Sequence, residues 1–469
     1  MRSANSLFLS GRFLLALFTL ILNGRLLAWS QESALYSFRL SGGDGNAPLD
    51  SLVVDQFGNL YGTTSGGGTN FEGTVFELSP PATQGGHWTE TVLFSFGGIS
   101  DGAAPSFGSL VFDQAGNLYG TTSVGGLTGE GCSSAGCGTV FELSPPASQG
   151  GSWTHTVIYE FSPGGASYPI GGVVLDSAGN VYGTTSSGGT AGWGTVFELK
   201  PLSAAGAPWT EQVLHSFAGG ADGAAPQASV TIGRKNKIYG TTQGGGSAGF
   251  GTVFELIPPS GSGGAWKKIV LHNFVGGKDG AYPDGSVILD SAGNVYGTTV
   301  GGGPAGVGTV FQLMPPSAQG GPWREVVLYA FQADIGANPY DAPVLDHSGN
   351  LYGTTYQGGS FNRGIVFRLA PPAESGGVWT FTTLHEFDGG GDGVDEGIFP
   401  LAGLTSGPDG SLPLRIKVNS ASRNRPERKS ELADLIRCSF VGPVAVGSVS
   451  HSYKKGTAAP GCPADVLGQ

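Results

Sequence analysis

Residues 117–122 read Asn-Leu-Tyr-Gly-Thr-Thr, and residues 138–143 read Gly-Thr-Val-Phe-Glu-Leu. The two strings belong to one unit that recurs along the chain, and a Trp follows each copy. The Tyr-Gly-Thr-Thr string begins at Tyr61, Tyr119, Tyr182, Tyr239, Tyr296 and Tyr352, with spacings of 58, 63, 57, 57 and 56 residues. The accompanying Trp residues are Trp88, Trp153, Trp209, Trp266, Trp323 and Trp379. Such long copies in register indicate a repeat protein, in which each unit packs on its neighbours.

One unit predicts four short strands. In the second copy, these strands cover residues 109–113, 118–122, 139–143 and 153–161, with turns rich in Gly and Asn between them. Four antiparallel strands per repeat, with no helical periodicity, are typical of a propeller blade. A row of sandwich domains would need about 100 residues per unit. The sequence therefore predicts an all-β fold, a β-propeller of four-stranded blades.

The number of blades depends on the ends of the repeat region. Six repeats are complete, and a degenerate seventh begins near Leu401. Residues 35–38 (Leu-Tyr-Ser-Phe) match the fourth strand of a blade, as in residues 93–96, but have no preceding strands of their own. They are predicted to complete the blade that begins near Leu401, which gives seven blades closed across the termini. The alternative is a six-bladed ring with spare ends.

Composition and charge limit the possible partners. Gly accounts for 85 of the 469 residues, and hydrophobic residues for 39%, too many for a disordered chain. Residues 31–412 carry 11 Lys and Arg against 31 Asp and Glu, a net charge of −20. Nucleic-acid binding requires clustered cations. The acidic body therefore predicts that nucleic acid is not a partner.

The two ends of the chain differ from the repeats. Residues 1–30 combine Arg2 and Arg12, an apolar run over residues 13–22 and Ala-Trp-Ser at residues 28–30, which is the layout of a cleaved signal peptide. An uncleaved N-terminal anchor is the alternative. Residues 31–412 form the predicted propeller domain, and no transmembrane helix is expected after signal cleavage. Residues 413–469 are a divergent basic tail, either frame-shifted or genuine, that is predicted to be poorly ordered.

The run Asp-x-x-Gly-Asn-Leu/Val-Tyr resembles the first hairpin of NHL-type propeller blades. The full unit is more similar to the tandem repeat of the choice-of-anchor GloVer-containing proteins, and this resemblance covers about residues 34–412. The resemblance implies a secreted or cell-surface repeat protein that sometimes carries a C-terminal anchor. It implies no reaction and supplies no catalytic residues.

The cysteines form two groups. Cys132 and Cys137 lie in the longer loop of the second repeat, and a local disulfide is predicted for an exported protein. Free thiols and a metal site are the alternatives, and two thiols without further ligands make a poor zinc site. Cys438 and Cys462 lie in the tail and cannot be paired from the sequence.

The repeat register also tests the histidines. His215, His272 and His385 share one position of the fourth strand, and the other copies place Phe or Tyr there: Phe94, Tyr159 and Tyr329. Because a metal ligand or a general base cannot be exchanged for Phe, this position is predicted to be a packing position for flat rings.

The acidic residues receive the same test. Glu77, Glu142, Glu198 and Glu255 become Gln312 and Arg368 in later copies, which argues against a ring of catalytic carboxylates. The residues Asp55, Asp113, Asp176, Asp290 and Asp346 precede the Gly-Asn turns and are predicted to bind turn amides. Calcium binding is weighed for four acids in the connections between blades, namely Asp44, Asp101, Asp222 and Asp279. No residue is assigned as catalytic, cofactor-binding or metal-binding, and no cofactor is expected.

These observations favour an exported, non-catalytic repeat protein that acts as a binding or surface-interaction module. Its expected partner is an extracellular or cell-surface protein or polysaccharide, and a monomer is expected. The alternative is an extracellular hydrolase or lyase with a single polar site on one propeller face. Such an enzyme would need convergent polar residues that break the repeat.

Overall fold

The computed structural model describes residues 34–38, 43–83, 86–105, 108–148, 150–201, 208–261, 263–318, 320–374, 376–389 and 398–405. Over these residues the fold is all-β, with two short 3-10 helices at Gly220–Asp222 and Arg234–Asn236. Each of the six complete repeats forms one four-stranded antiparallel sheet, with its strands in sequence order. The predicted β-propeller of four-stranded blades is therefore confirmed.

The strands occupy corresponding positions in all six blades. The first strands are Val53–Val54, Val111–Phe112, Val174–Leu175, Thr231–Ile232, Ile288–Leu289 and Val344–Leu345. The second strands are Leu60–Thr64, Leu118–Thr122, Val181–Thr185, Ile238–Thr242, Val295–Thr299 and Leu351–Thr355. The third strands are Thr74–Ser79, Thr139–Ser144, Thr195–Lys200, Thr252–Ile257, Thr309–Met314 and Ile365–Ala370. The fourth strands are Thr89–Ser95, Thr154–Glu160, Thr210–Ser216, Lys267–Asn273, Arg324–Ala330 and Thr380–Glu386. Two small pairs, Gly45–Asn46 with Gly66–Gly67 and Ala166–Ser167 with Ser187–Gly188, lie in the loops.

The Gly of each Tyr-Gly-Thr-Thr string makes room for an aromatic ring. Gly240 pairs with Phe254 across the second and third strands of blade 4, and a Cβ on Gly240 would lie 2.6 Å from Cζ of that ring. The same pairing recurs in the other blades. The ring thus lies flat across its neighbour's backbone, and Phe254 is completely buried.

Phe rings also join consecutive blades. Phe217 follows the fourth strand of blade 3, and its centroid lies 5.3 Å from that of Phe254 in blade 4, in an edge-to-face arrangement. Equivalent pairs lie between the other successive blades. Because blades pack face to face, the repeat predicts that the Phe of each third strand and the Trp of each fourth strand are largely buried. For the third-strand Phe residues this is confirmed. Each of the six repeat Trp residues is partly buried against the core of its blade junction, and none is exposed.

The Trp rings are half-buried because they lie at the start of the outermost strand. Trp153 packs on Tyr61 of the preceding blade, with ring centroids 6.2 Å apart, and Trp209 packs on Tyr119 at the same distance. One side of each ring therefore meets the preceding blade and the other side meets solvent.

Hydrogen bonds hold each connection between blades to both of the blades that it joins. Ala225, before Pro226, has a φ of 53°; its N–H donates to the carbonyl of Trp193 in blade 3, and its carbonyl accepts from Gln243 in blade 4. The residue before each connecting Pro has the same left-handed backbone: Ala47, Ala104, Tyr168, Ala225, Tyr282, Asn338 and Phe399. Non-Gly residues seldom adopt this conformation, so the neighbouring blades hold the backbone in place.

The predicted seventh blade remains unconfirmed, and the six complete blades match the alternative. The ring of Phe38 lies 4.9 Å from Phe76 of blade 1, in the edge-to-face contact that joins other blades. Thr405 Oγ1 donates to the carbonyl of Leu52 at 2.5 Å, just as Thr231 donates to Val287 between blades 4 and 5. The middle strands of a seventh blade would follow Thr405, outside the described residues.

The predicted signal peptide and the whole of the predicted basic tail also lie outside the described residues. Where the structure is described, it has no helix with the length and apolar character needed to span a membrane.

Candidate binding face

The antiparallel order of the strands places two kinds of loop at the same end of every blade. These are the loops between the second and third strands and the connections from each fourth strand to the next blade. Hydrogen bonds join them; for example, the N–H of Ala224 in a connection donates to the carbonyl of Gly244 in a loop at 2.9 Å. We call this end of the propeller the Gly-rich face.

Exposed apolar side chains are concentrated on the Gly-rich face. Among the described residues, 11 large hydrophobic side chains are at least 36% exposed, and seven of them lie on this face. The seven are Phe71, Ile99, Leu127, Trp193, Val275, Tyr282 and Phe361. Scattered single apolar residues are normal on a surface, but a concentration on one face is typical of an interaction site.

The backbone beneath these side chains is held in place. Trp193 is 40% exposed, and its indole lies over Gly219, where a Cβ would come within 2.8 Å of Nε1. In the next blade, Phe250 lies over Gly276, and its ring is 5.5 Å from that of Tyr282. Hydrogen bonds of the connections hold the same segments, so the backbone beneath these rings is fixed.

Polar residues that break the repeat line the channel mouth, by which we mean the residues between each connecting Pro and the following first strand. Gln227 Nε2 donates to Gln243 Oε1 at 2.9 Å, and Gln243 Nε2 donates to Asp284 Oδ1 at 2.9 Å. Burial raises the pKa of Asp284 to about 7, despite the hydrogen bond from Gln243. Tyr340 follows in blade 6, where burial and the charge of Asp284 raise its pKa.

Two further acids lie at the channel mouth. Asp341 Oδ2 accepts hydrogen bonds from Ser51 Oγ at 2.9 Å and from Gly403 N–H at 2.7 Å, and burial raises its pKa. Asp50 is 4% exposed and accepts from Thr63 Oγ1 at 2.7 Å. Burial, and then the charge of Asp341, raise the pKa of Asp50 to about 7. Chemically, these acids, amides and phenols offer hydrogen bonds to a polar ligand, and protonated carboxyls can also act as donors.

The histidines occupy the predicted packing position. The rings of His215, His272 and His385 lie 4.7–4.9 Å from the Phe two residues later, edge to face, as Phe94 does with Phe96. Two of them have an additional partner that was not predicted. His215 Nε2 lies 3.0 Å from Asp222 Oδ2, and His272 Nε2 lies 3.0 Å from Asp279 Oδ1.

The repeated acids have structural partners. Asp176 Oδ1 accepts from the amides of Ala178 and Asn180, and its Oδ2 accepts from Asn180 Nδ2 and Tyr182 Oη. The predicted turn role of this Asp row is confirmed. In the Glu row, Glu198 accepts from Tyr182 Oη at 2.8 Å. In blade 5, Gln312 replaces Glu and donates to the Tyr296 hydroxyl, so the exchange preserves the hydrogen bond.

The four acids weighed for calcium are spread over different connections, and the structure does not bring them together as one site. Asp101 accepts from the amide of Gly97 at 2.9 Å, Asp222 from that of Ala218 at 2.8 Å, and Asp279 from that of Val275 at 2.6 Å. Asp44 accepts from Tyr36 Oη at 3.1 Å. Three of the four therefore bind an amide of their own connection, as turn residues do.

Sequence reasoning missed the acids that distinguish one blade from another. Asp50 and Asp341 share a position at the channel mouth where the other copies have Gly or Ala, and Asp284 occupies the preceding position, where the other copies have larger residues such as Leu49, Ile170 and Tyr340. Glu325 occupies a variable position of the fourth strand, where the other copies have Glu90, His155, Glu211, Lys268 and Phe381. The sequence did contain a sign of these acids, because each is a charged residue at a position where the other copies have small, apolar or variable residues. Its meaning depends on which blades face each other, and one repeat considered alone does not show this.

Cys132 and Cys137 lie in the loop between the second and third strands of blade 2, with Cα atoms 5.0 Å apart. This separation lies within the range of about 4.4–6.8 Å that a disulfide requires. We expect both residues to resist iodoacetamide when the exported protein is unfolded in urea without reductant, and to react after reduction. Peptide mass spectrometry distinguishes them from Cys438 and Cys462. Full alkylation before reduction would contradict the predicted disulfide.

One family model matches a large part of this chain. The family model described as the Gloeobacter/Verrucomicrobia repeat matches residues 128–319 and 262–412, which together cover more than half of the chain. No curated protein matches this chain.

Several solved structures are similar to this chain at low identity. A putative oxidoreductase (glucose dehydrogenase) from Thermus thermophilus is 17% identical, with a TM-score of 0.39, over 68% of this chain and 94% of that one. An ulvan lyase, from a new family of polysaccharide lyases, is 12% identical, with a TM-score of 0.46, over 75% and 87%. A putative 6-phosphogluconolactonase from Bacteroides uniformis is 13% identical, with a TM-score of 0.44, over 73% and 86%.

Proposed function

We propose that this chain, which belongs to the Gloeobacter/Verrucomicrobia repeat family and builds its blades from that repeat, is an exported protein that binds an extracellular polysaccharide through the Gly-rich face. The observation that carries the proposal is the concentration of exposed apolar side chains on that face, with Trp193 and Tyr282 among them. Flat rings next to Gly-lined backbone suit the apolar faces of sugar rings, and the polar channel mouth supplies hydrogen bonds for hydroxyl groups.

Charge narrows the ligand class. The body of the protein, residues 31–412, has a net charge of −20, from 11 basic and 31 acidic residues. Like charges juxtaposed across an interface are costly. The proposed ligand is therefore a neutral or cationic polysaccharide rather than a uronic acid or sulfated polymer.

Export rests on the N-terminal sequence. The charged, apolar and small-residue segments within residues 1–30 support cleavage and secretion. Fractionation of the native host should place the mature chain outside the cytoplasm or on the cell surface, with an N-terminus near residue 31. An intact chain retained in the cytoplasm would reject export.

The binding proposal predicts a strong effect of Trp193. In affinity electrophoresis with neutral and cationic polysaccharides embedded in the gel, we expect Trp193→Ala and Phe361→Ala each to weaken retardation at least about tenfold, as for central aromatic contacts. Val378→Ala is the matched control, because Val378 is 86% exposed at the opposite end of blade 6. Equal retardation of all three variants and the wild type would reject the Gly-rich face as the binding site.

The enzyme alternative has its own readout. A hydrolase or lyase would use the channel-mouth carboxyls, and Asp284 has a pKa near neutrality, as an acid–base group needs. Incubation with the retained polysaccharide followed by an assay for new reducing or unsaturated ends tests this directly. Product release that is abolished by Asp284→Asn would replace the binding proposal with the enzyme alternative.

A further inference from the structure

A second polar cluster lies between the outer strands of blades 4 and 5, beside the connection that joins them on the Gly-rich face. His272 is in the fourth strand of blade 4, Asp279 is in the connection that follows, and Glu325 is in the fourth strand of blade 5. One ligand atom from each residue lies within 4.8 Å of the other two. His272 and Asp279 are 19% and 15% exposed, so the cluster is largely shielded but open to solvent.

The interface between blades 3 and 4 contains an equivalent cluster with one different residue. Between blades 3 and 4, His215 and Asp222 take the places of His272 and Asp279, and Lys268 takes the place of Glu325. Lys268 Nζ donates to Asp222 Oδ1 at 2.8 Å, and its side chain is only 6% exposed. A buried cation thus neutralises the carboxylate at this interface.

The exchange of Lys for Glu removes that cation and adds a second carboxyl group. Burial, and then the charge of Asp279, raise the pKa of Glu325 to about 8. Glu325 Oε1 is buried and accepts no hydrogen bond from any residue in the described part of the chain. Such a buried acceptor is costly unless a proton or a metal ion occupies the pocket.

The geometry points to a divalent transition-metal site formed by His272, Asp279 and Glu325, which joins blade 4 to blade 5. Two neighbouring ligand atoms each about 2.0–2.2 Å from one ion are roughly 2.8–3.6 Å apart, the shorter values in octahedral and the longer in tetrahedral coordination. His272 Nε2 and Asp279 Oδ1 are 3.0 Å apart. One imidazole and two carboxylates suit zinc or manganese, with water completing the coordination.

The imidazole would bind through Nε2, which requires the neutral ring. Asp279 Oδ2 is engaged by the amide of Val275 at 2.6 Å, and this bond orients Oδ1 toward His272. The ring of His272 is fixed by its edge-to-face contact with Phe274, at 4.7 Å between centroids. Two of the three ligands are therefore preorganised, and Glu325 closes the site from the neighbouring blade.

Zinc titration of the tag-free, full-length protein by isothermal calorimetry at pH 8 tests the site. We expect the wild type to bind one zinc ion and Glu325→Lys, which copies the natural residue of the preceding interface, to lose at least tenfold in affinity. His272→Phe removes the nitrogen ligand but keeps a ring that this position accepts in blade 1. It should weaken zinc binding by a similar factor.

The reciprocal variant provides a gain of function. Lys268→Glu creates the same three ligands between blades 3 and 4, so the stoichiometry should rise to two zinc ions. If Glu325→Lys does not fold, Glu325→Gln replaces it, with the same expected loss. Unchanged zinc affinity in Glu325→Lys or His272→Phe, binding of calcium but not zinc, or no zinc binding by the wild type at millimolar concentration would overturn the site. The last result would mean that a proton holds the two carboxyls together.

Discussion

Replacing Phe254 with alanine should lower the free energy of unfolding by about 3–5 kcal/mol, the usual cost of removing a large buried ring. Phe254 is completely buried, and it contacts both Phe217 of the preceding blade and Gly240 of its own sheet. Its loss opens a cavity where two blades meet. Urea unfolding at fixed pH measures the change, with Phe71→Ala as the control, because that Phe is 73% exposed and should matter little.

A double-mutant cycle isolates the contact between Phe254 and Gly240. Gly240→Ala alone should cost about 1–3 kcal/mol, because its Cβ would overlap a ring that has no room to move. In the Phe254→Ala background the same substitution meets no ring and should cost much less. Gly261→Ala is the matched control, since a Cβ at Gly261 would have no atom within 4 Å and the residue has no left-handed φ. Additive effects in the cycle, or a large effect at Gly261, would contradict this account of the repeat.

The repeat can be interpreted from the sequence because its most regular residues make contacts only within one blade or with the adjacent blade. The Gly of the second strand and the Phe of the third strand are fixed by one cross-strand pair, which every unit repeats. The turn Asp is fixed by amides within four residues, as Asp176 shows. Periodicity, turn chemistry and register therefore sufficed to predict strands, blades and the roles of these residues.

The candidate sites were harder to predict because they depend on differences between blades. Lys268 and Glu325 occupy equivalent positions, yet each acts on an Asp contributed by the preceding connection. At the channel mouth, Asp341 of blade 6 accepts a hydrogen bond from Ser51 of blade 1, which lies 290 residues earlier in the chain. Such pairs follow from ring closure, and the pattern of one repeat carries no information about them.

The buried acids of the channel mouth should make the free energy of unfolding depend on pH, and Asp50 is expected to contribute most clearly. Burial is the main cause that raises its pKa to about 7, and the charge of Asp341 adds to it. Its Oδ1 is buried without a hydrogen-bond partner among the described residues, so ionisation in the folded state is unfavourable. The folded state therefore holds this proton more tightly than the unfolded state, where an Asp has a pKa of about 3.9.

The sign of the effect follows from that difference. Where the folded state binds more protons, stability falls as pH rises, so Asp50 favours folding below its unfolded pKa and loses this contribution as pH rises to about 7. The difference between the folded and unfolded pKa values of Asp50 corresponds to roughly 4 kcal/mol. Asp50→Asn removes the titration. Because more than a third of this contribution is already lost at pH 5, we expect the stability of Asp50→Asn relative to the wild type to increase by roughly 3 kcal/mol between pH 5 and pH 8 in urea unfolding.

Asp346→Asn provides the opposite case for comparison. Burial acts to raise the pKa of Asp346, but hydrogen bonds from Asn350 and from backbone amides outweigh burial and lower the pKa below its usual value. Its carboxylate stabilises the fold above the unfolded pKa and stays ionised at both pH 5 and pH 8, so Asp346→Asn should cost the same at both. Only Asp50→Asn should change its effect over this interval. An equal effect of Asp50→Asn at pH 5 and pH 8 would show that Asp50 is already ionised in the folded protein, and that the channel mouth carries charge rather than protons at neutral pH.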